Sequence, residues 1–217
     1  MKSKIIAEFL GTAFLVMIVI GSGIMGQNLF PGQDGLALLA NSLATGAGLF
    51  LLIQCLGSIS GAHFNPVVSL IEVLWGRITI KIASTYILAQ MVGAYLGIVL
   101  AHTIFKLTIF QISSVARAGS HLWFSEVIAT FGLICVVALA GRKHVEFAPV
   151  SVAAYITSAY WFTSSTSFAN PAVTFARMFT NSFGGMAPAH FSGFVASQIV
   201  GGVLAWLILR HLTKQRV

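Results

Sequence analysis

Polar residues punctuate this chain at long intervals and leave six predominantly apolar stretches, near residues 5–25, 36–57, 80–102, 122–140, 148–164 and 190–210. A helix of about 20 apolar residues crosses ~30 Å of hydrocarbon, so the pattern predicts six membrane-spanning helices. Two shorter apolar pieces, 66–75 and 171–179, each open on a proline. As helices of about ten residues they would be ~15 Å long and reach halfway across. The pattern therefore predicts two re-entrant half-helices. Non-helical backbone at membrane depth is tolerated only where protein buries it or a water-filled cavity borders it, so these pieces imply a cavity.

The polar residues inside the apolar stretches recur in the same order. Glu8 in AEFLGTAFL corresponds to Glu126 in SEVIATFGL, Asn65 in HFNPVVSL to Asn170 in FANPAVTF, and Gln90 in LAQMVGAYL to Gln198 in ASQIVGGVL. One repeat covers about 1–105 and the other about 120–217, within a single domain spanning 1–217. Three spans per repeat is an odd number, so the second repeat enters the membrane from the opposite side. The fold class is thus an all-α membrane protein built as an inverted repeat, an arrangement that places a site at the midplane.

Composition agrees: 57% of the 217 residues are hydrophobic, 8% are charged, and the mean hydropathy is +0.92. Soluble domains carry about a quarter charged residues, so a soluble globule is excluded. Lys2 and Lys4 ahead of the first apolar run resemble the start of a secretion signal, but Glu8 in the apolar core and the recurrence of the segment argue for a retained helix. The net charge of +7 comes from basic residues at span ends and in connections, so it reads as lipid topology rather than nucleic-acid binding. Lys2, Lys4, Arg77, Lys81, Arg142, Lys143, Arg210, Lys214 and Arg216 fall on one side, and Lys106, Arg117 and Arg177 on the other. The positive-inside rule then places both termini in the cytoplasm. Cys55 and Cys135 lie inside spans without metal-ligand spacing and read as packing residues. No metal site or cofactor is expected. Gly93 with Gly97, and Gly201 with Ala205, are small residues four apart that permit close helix approach.

The Asn-Pro pairs carry the chemistry. Proline suits the first helical turn and asparagine just before it is a strong N-cap, so both half-helices begin at Asn65 and Asn170. In an inverted repeat they meet N-terminus to N-terminus, and two partial charges of about +0.5 converge at the bilayer centre. Cations are repelled there and neutral molecules are not. The asparagine amides offer donors that orient the oxygen of a passing water or hydroxylated solute.

SGAHFNPVVSL and ANPAVTFAR resemble the two pore-lining signatures of the aquaporin, or major intrinsic protein, family, and the resemblance spans nearly the whole chain. It implies a pore in each subunit, usually of a homotetramer in the plasma membrane, that passes water or small neutral solutes through lipid. The first motif reads Asn65-Pro66-Val67, where the family commonly has alanine third; the second reads Asn170-Pro171-Ala172. Val67 is expected to add two methyl groups beside the constriction. Glu8 and Glu126 are expected to brace the loops before the half-helices, with His63 a further brace.

Carried over by offset from the two asparagines, the family's outer selectivity filter falls on Thr45, Ser158, Ser167 and Val173. The aromatic, histidine and arginine of water-selective members are all missing from that set, and Thr174 stands where glycerol channels typically have aspartate. The resemblance then points to a wide, hydroxyl-lined filter admitting glycerol-like solutes or metalloid hydroxides such as arsenious acid, as in the family's metalloid-permeable branches. Arg177, one turn beyond Val173, either faces the outer vestibule or snorkels to the interface. His144 and Glu146 are candidates for pH gating. The alternatives are a strict water channel of the same family, a secondary transporter with inverted repeats, and a membrane enzyme. Against the last two stand the scarcity of intramembrane acids, with only Glu8 and Glu126 placed deep in the bundle, and the absence of HExxH and GxSxG motifs.

Overall fold

The computed structural model describes residues 1–140 and 145–212. Eight α-helices and no strand occur among them: α1 (Lys2–Leu29), α2 (Asp34–Ser60), α3 (Pro66–Leu74), α4 (Ile80–Ile104), α5 (Ser120–Ala140), α6 (Ala148–Phe162), α7 (Pro171–Arg177) and α8 (Phe191–Leu212). Single 3-10 turns at Val145–Phe147 and Pro188–His190 lead into α6 and α8.

Helices α1, α2, α4 and α5, and the segment Pro188–Leu212 that includes α8, are long and apolar enough to cross a membrane. Helix α6 is the exception, with 15 residues or about 22 Å of length. It stops at Phe162 because Thr163 turns extended and the chain dives inward. The expected fifth span is thus shorter than the others and ends two residues before 164. Helices α3 and α7 have 9 and 7 residues, so both are half-helices, α7 ending at Arg177 rather than 179.

Glycine sets the closest packing. A Cβ on Gly93 of α4 would lie 2.3 Å from the Phe9 carbonyl oxygen of α1, and one on Gly201 of α8 would lie 2.3 Å from the Val127 carbonyl oxygen of α5. These corresponding glycines bring α4 onto α1 and α8 onto α5 at backbone contact. Between the halves, α2 packs on α6, where the Trp161 indole donates to Ser42 Oγ at 3.0 Å. Within the first half, Asn41 Nδ2 of α2 donates to the Val19 carbonyl of α1 at 2.7 Å. The bundle's outside is apolar, with Leu43, Leu88 and Phe124 exposed, which is the surface a lipid environment demands. Cys55 lies exposed on that surface instead of packing, whereas Cys135 packs beside the Val67–Val68–Ile71 cluster.

Candidate functional site

Both half-helices start as the Asn-Pro pairs dictate. Asn65 is extended (φ −153°, ψ 119°) and its Oδ1 accepts from the Val67 amide at 2.9 Å. Asn170 is extended likewise, its Oδ1 accepting from the Ala172 amide at 2.9 Å and the Val173 amide at 3.4 Å. Pro66 and Pro171 fill the first helical positions, where no N–H is missed.

The loops ahead of them are strained. Ala62, Phe64, Thr166, Ser167 and Ala169 all adopt positive φ, between 46° and 61°, which costs a non-glycine residue about 1–2 kcal/mol each. The left-handed turns aim successive amide N–H groups at the two buried glutamates. Glu8 accepts from the amides of His63 (2.9 Å) and Phe64 (2.8 Å), from the Ser60 hydroxyl (2.6 Å) and from the Gln90 amide group (2.8 Å). Glu126 accepts from the amides of Phe168 (2.9 Å) and Ala169 (2.8 Å), from Gln198 (2.6 Å) and from the Ser165 hydroxyl. Gln90 and Gln198 each reach further, to Ser69 on α3 at 3.1 Å and Thr174 on α7 at 2.8 Å. Each carboxylate therefore ties one loop and one half-helix to the long helices, in matching positions of the two halves. His63 adds a contact from its Nδ1 to Ser69 Oγ at 3.0 Å.

The two asparagines cross-link the halves. Asn65 Nδ2 donates to the Ala169 carbonyl at 2.7 Å, and Asn170 Nδ2 donates to the Phe64 carbonyl at 2.8 Å. Each side-chain amide has two N–H bonds, so one remains on each, and both residues line a cavity of about 280 Å³. The cavity extends from His63, Glu72 and Ala148, past the asparagines, to Thr45, Tyr160 and Arg177. Leu15, Leu49, Ile53, Leu133, Val137, Val152 and Ile156 make the intervening wall apolar.

A family model, Major intrinsic protein, matches residues 1–166. The chain is 48% identical over 211 residues to aquaglyceroporin AqpS of Rhizobium meliloti (strain 1021), covering 97% of this chain and 90% of that protein. It is 32% identical over 231 residues to human aquaporin-1, covering 98% of this chain and 82% of the relative. The chain belongs to the major intrinsic protein family. In three dimensions it superposes on the X-ray structure of the aquaglyceroporin from Plasmodium falciparum with a TM-score of 0.76, over 98% of this chain and 96% of that one, at 20% identity. That match establishes the aquaporin fold.

Against the family's filter positions, three of the four expected residues converge. Thr45, Ser167 and Val173 are buried and line one end of the cavity. Ser158 does not join them: it is exposed, and its hydroxyl turns back to the Tyr155 carbonyl at 2.8 Å. The face of α6 toward the cavity is Val152, Ile156 and Tyr160, and Tyr160 Oη lies 3.3 Å from Thr45 Oγ1. The ungapped count across the fifth span lands two residues early, because the path of the loop 163–170 that follows it is not revealed by any count. An aromatic residue thus stands beside Thr45 at that end of the cavity.

Two further placements, Val67 and Glu72, differ from expectation, and Arg177 takes the first of its two alternatives. Val67 is buried but does not line the cavity; its side chain packs toward Gly202 of α8. Arg177 does not snorkel: it is 3% exposed, lines the cavity and donates to the Gly184 carbonyl at 3.0 Å. Glu72 of α3 is a third buried acid, on the cavity wall and paired with Arg77 at 2.9 Å. Its signal in the sequence was a single carboxylate in an otherwise apolar half-helix. His144 lies outside the described residues, and Glu146 is exposed.

Proposed function

We propose that this chain is a passive pore for water and small uncharged hydroxylated solutes, with the cavity between α3 and α7 as the path and Thr45, Tyr160, Ser167 and Val173 as the ring that sets its width. The observation that carries this reading is the continuity of one cavity past both asparagines, with an amide N–H left over on each. A water or alcohol oxygen accepts from those donors, and the apolar wall on either side holds it to a single file of contacts. The ring supplies three hydroxyls and the two methyls of Val173. Tyr160 makes it narrower than Ser158 would, and the ring itself carries no charge. Its substrates are then compact neutral molecules rich in hydroxyl groups: glycerol-like solutes and trihydroxy metalloid species such as arsenious acid. The similarity to a protein named an aquaglyceroporin supports this class.

The proposal includes a homotetramer in the cell membrane with cytoplasmic termini, supported by the apolar outside and the distribution of lysine and arginine. Proteoliposome light scattering with water, glycerol, urea and arsenious acid tests the path. Val173→Arg should reduce glycerol and arsenious acid flux by about tenfold or more, a change of ~1.4 kcal/mol in barrier, while water flux falls less. Unchanged flux of the larger solutes would remove Val173 from the ring. Failure of every neutral solute, water included, would sink the channel reading.

A further inference from the structure

Asn65, Val68 and Glu72 all line the cavity, and so do Asn170, Val173 and Arg177. Both sets are spaced i, i+3, i+7, which is one face of a helix, so the two half-helices present corresponding stripes to the path from opposite ends. The last position of each stripe lies about 10 Å along the axis from its asparagine, one toward each mouth. At one mouth it is an arginine that donates to the Gly184 carbonyl and meets the Tyr160 hydroxyl. At the other it is a carboxylate, and nothing in the packing asks for one. Glu72 is 9% exposed, and its neighbours along α3 are Leu70, Ile71 and Val73. Its partner Arg77 meets Oε1 alone, at 2.9 Å, from an exposed position over the Trp75 ring. An ion pair so open to water contributes little, while burying the acid is costly. Glu8 and Glu126 differ in that both oxygens of each accept from loop amides. Among the described residues, Glu72 Oε2 accepts no hydrogen bond.

We propose that Glu72 is a second solute-selecting site, at the mouth opposite Thr45 and Val173, where its free carboxylate oxygen accepts hydrogen bonds from the hydroxyls of a passing neutral solute. The asparagines leave only donors facing the path, so a hydroxylated solute that reaches them has its oxygens served and its own O–H groups stripped of water. Among the described residues, the other side chains lining the Glu72 end are His63, already engaged with Ser69, and the apolar Val68, Val137, Ala148 and Val152. A hydrogen bond to a carboxylate is about twice as strong as one between neutral groups, so Oε2 offsets that loss where the wall offers little else. Arg77 on Oε1 balances the charge, so a cation gains little here and a neutral donor keeps its bond. Water depends on Glu72 less than glycerol does, because a water in file donates to the next water. A polyol fills the cross-section and must find its acceptors on the wall. The inference rests on the reading of this cavity as the path for small hydroxylated solutes.

Glu72→Leu, reconstituted in proteoliposomes, tests it by light scattering with water and with glycerol, alongside a thermal melt in detergent. The expected result is a glycerol-to-water flux ratio about tenfold below the parent's, the loss of one hydrogen bond to a charged group, in a protein that melts no lower than the parent. A buried acid replaced by leucine among apolar neighbours is neutral or stabilising when its role is not structural. An unchanged ratio overturns the proposal. So does a variant that melts lower and loses both fluxes in proportion, which would assign Glu72 to bracing α3. Should Glu72→Leu fail to reconstitute, Glu72→Gln takes its place: it keeps one acceptor oxygen without the charge, so a ratio lowered about threefold supports the proposal, and the parent's ratio overturns it. A parent that passes no neutral solute refutes the path and this inference with it, whereas a conducting parent whose selectivity ignores position 72 refutes this inference alone.

Discussion

Glu8 accepts four hydrogen bonds while fully buried, and removing it strands four donors where water cannot replace the carboxylate. Each orphaned donor costs about 1–3 kcal/mol, so Glu8→Ala should lower the melting temperature in detergent sharply or abolish monodisperse protein. Glu8→Gln, which keeps one acceptor oxygen, should fall between the two. A fluorescence-detected size-exclusion melt reads both, and equal stability of Glu8→Ala and the parent would refute the bracing role. Val67 behaves oppositely. It fills the space over Gly202 and faces away from the cavity, so Val67→Ala should cost about 1–2 kcal/mol of packing and leave water and glycerol flux unchanged. An increase in glycerol flux would return Val67 to the pore wall. These residues also mark what a linear reading can reach. Glu8, Glu126, Asn65 and Asn170 were legible because an unpartnered acid, or a repeated Asn-Pro in hydrocarbon, has few physical explanations. The direction in which Val67 points was not, because it depends on the rotation of α3 against α8. For Arg177 the sequence left two directions open, and the choice between them rests on a carbonyl partner that arises seven residues later from a fold-back with no sequence signature of its own.

Among the elements, α4 on α1 and α8 on α5 are the contacts that tolerate least. Gly201 meets the Val127 carbonyl oxygen at a distance no side chain can share, and helix association in lipid depends on such close approach because there is no hydrophobic drive between apolar faces. Gly201→Leu should force α8 away from α5, displace Gln198 from Glu126 and release the loop 163–170 that Glu126 holds. The expected outcome is loss of both folded yield and water flux; full water flux in this variant would show that α8 has slack that the packing denies. The start of α3 and α7 was readable to the residue, since a proline and an asparagine side chain fix it locally. The end of α6 was not: nothing in the run 148–164 announces that the chain leaves the helix at Phe162, because the reason lies in where the loop must deliver Phe168 and Ala169, beside Glu126. That short helix, about 22 Å against ~30 Å of hydrocarbon, carries Tyr160 in its last turn, beside Thr45.

Across the whole molecule, the distribution of charge along the cavity follows from the two half-helices. Their N-termini meet at Asn65 and Asn170, so each end of the path lies at a half-helix C-terminus, with Glu72 and His63 toward one mouth and Arg177 toward the other. The centre is positive without any ionised group, since about half a unit of charge arises at each helix start and two N–H groups remain to face a solute. This barrier depends on the asparagine being uncharged. Asn65→Asp preserves the cap, because a carboxylate oxygen accepts from the Val67 amide as Oδ1 does now. It removes the donation to the Ala169 carbonyl and sets an anion against that oxygen. If the converging helix starts create the central barrier, the aspartate should neutralise it: potassium leak should rise, while water flux in folded protein persists at a reduced rate. Potassium permeability in Asn65→Asp no higher than in the parent would show that the midplane adds no electrostatic barrier of its own.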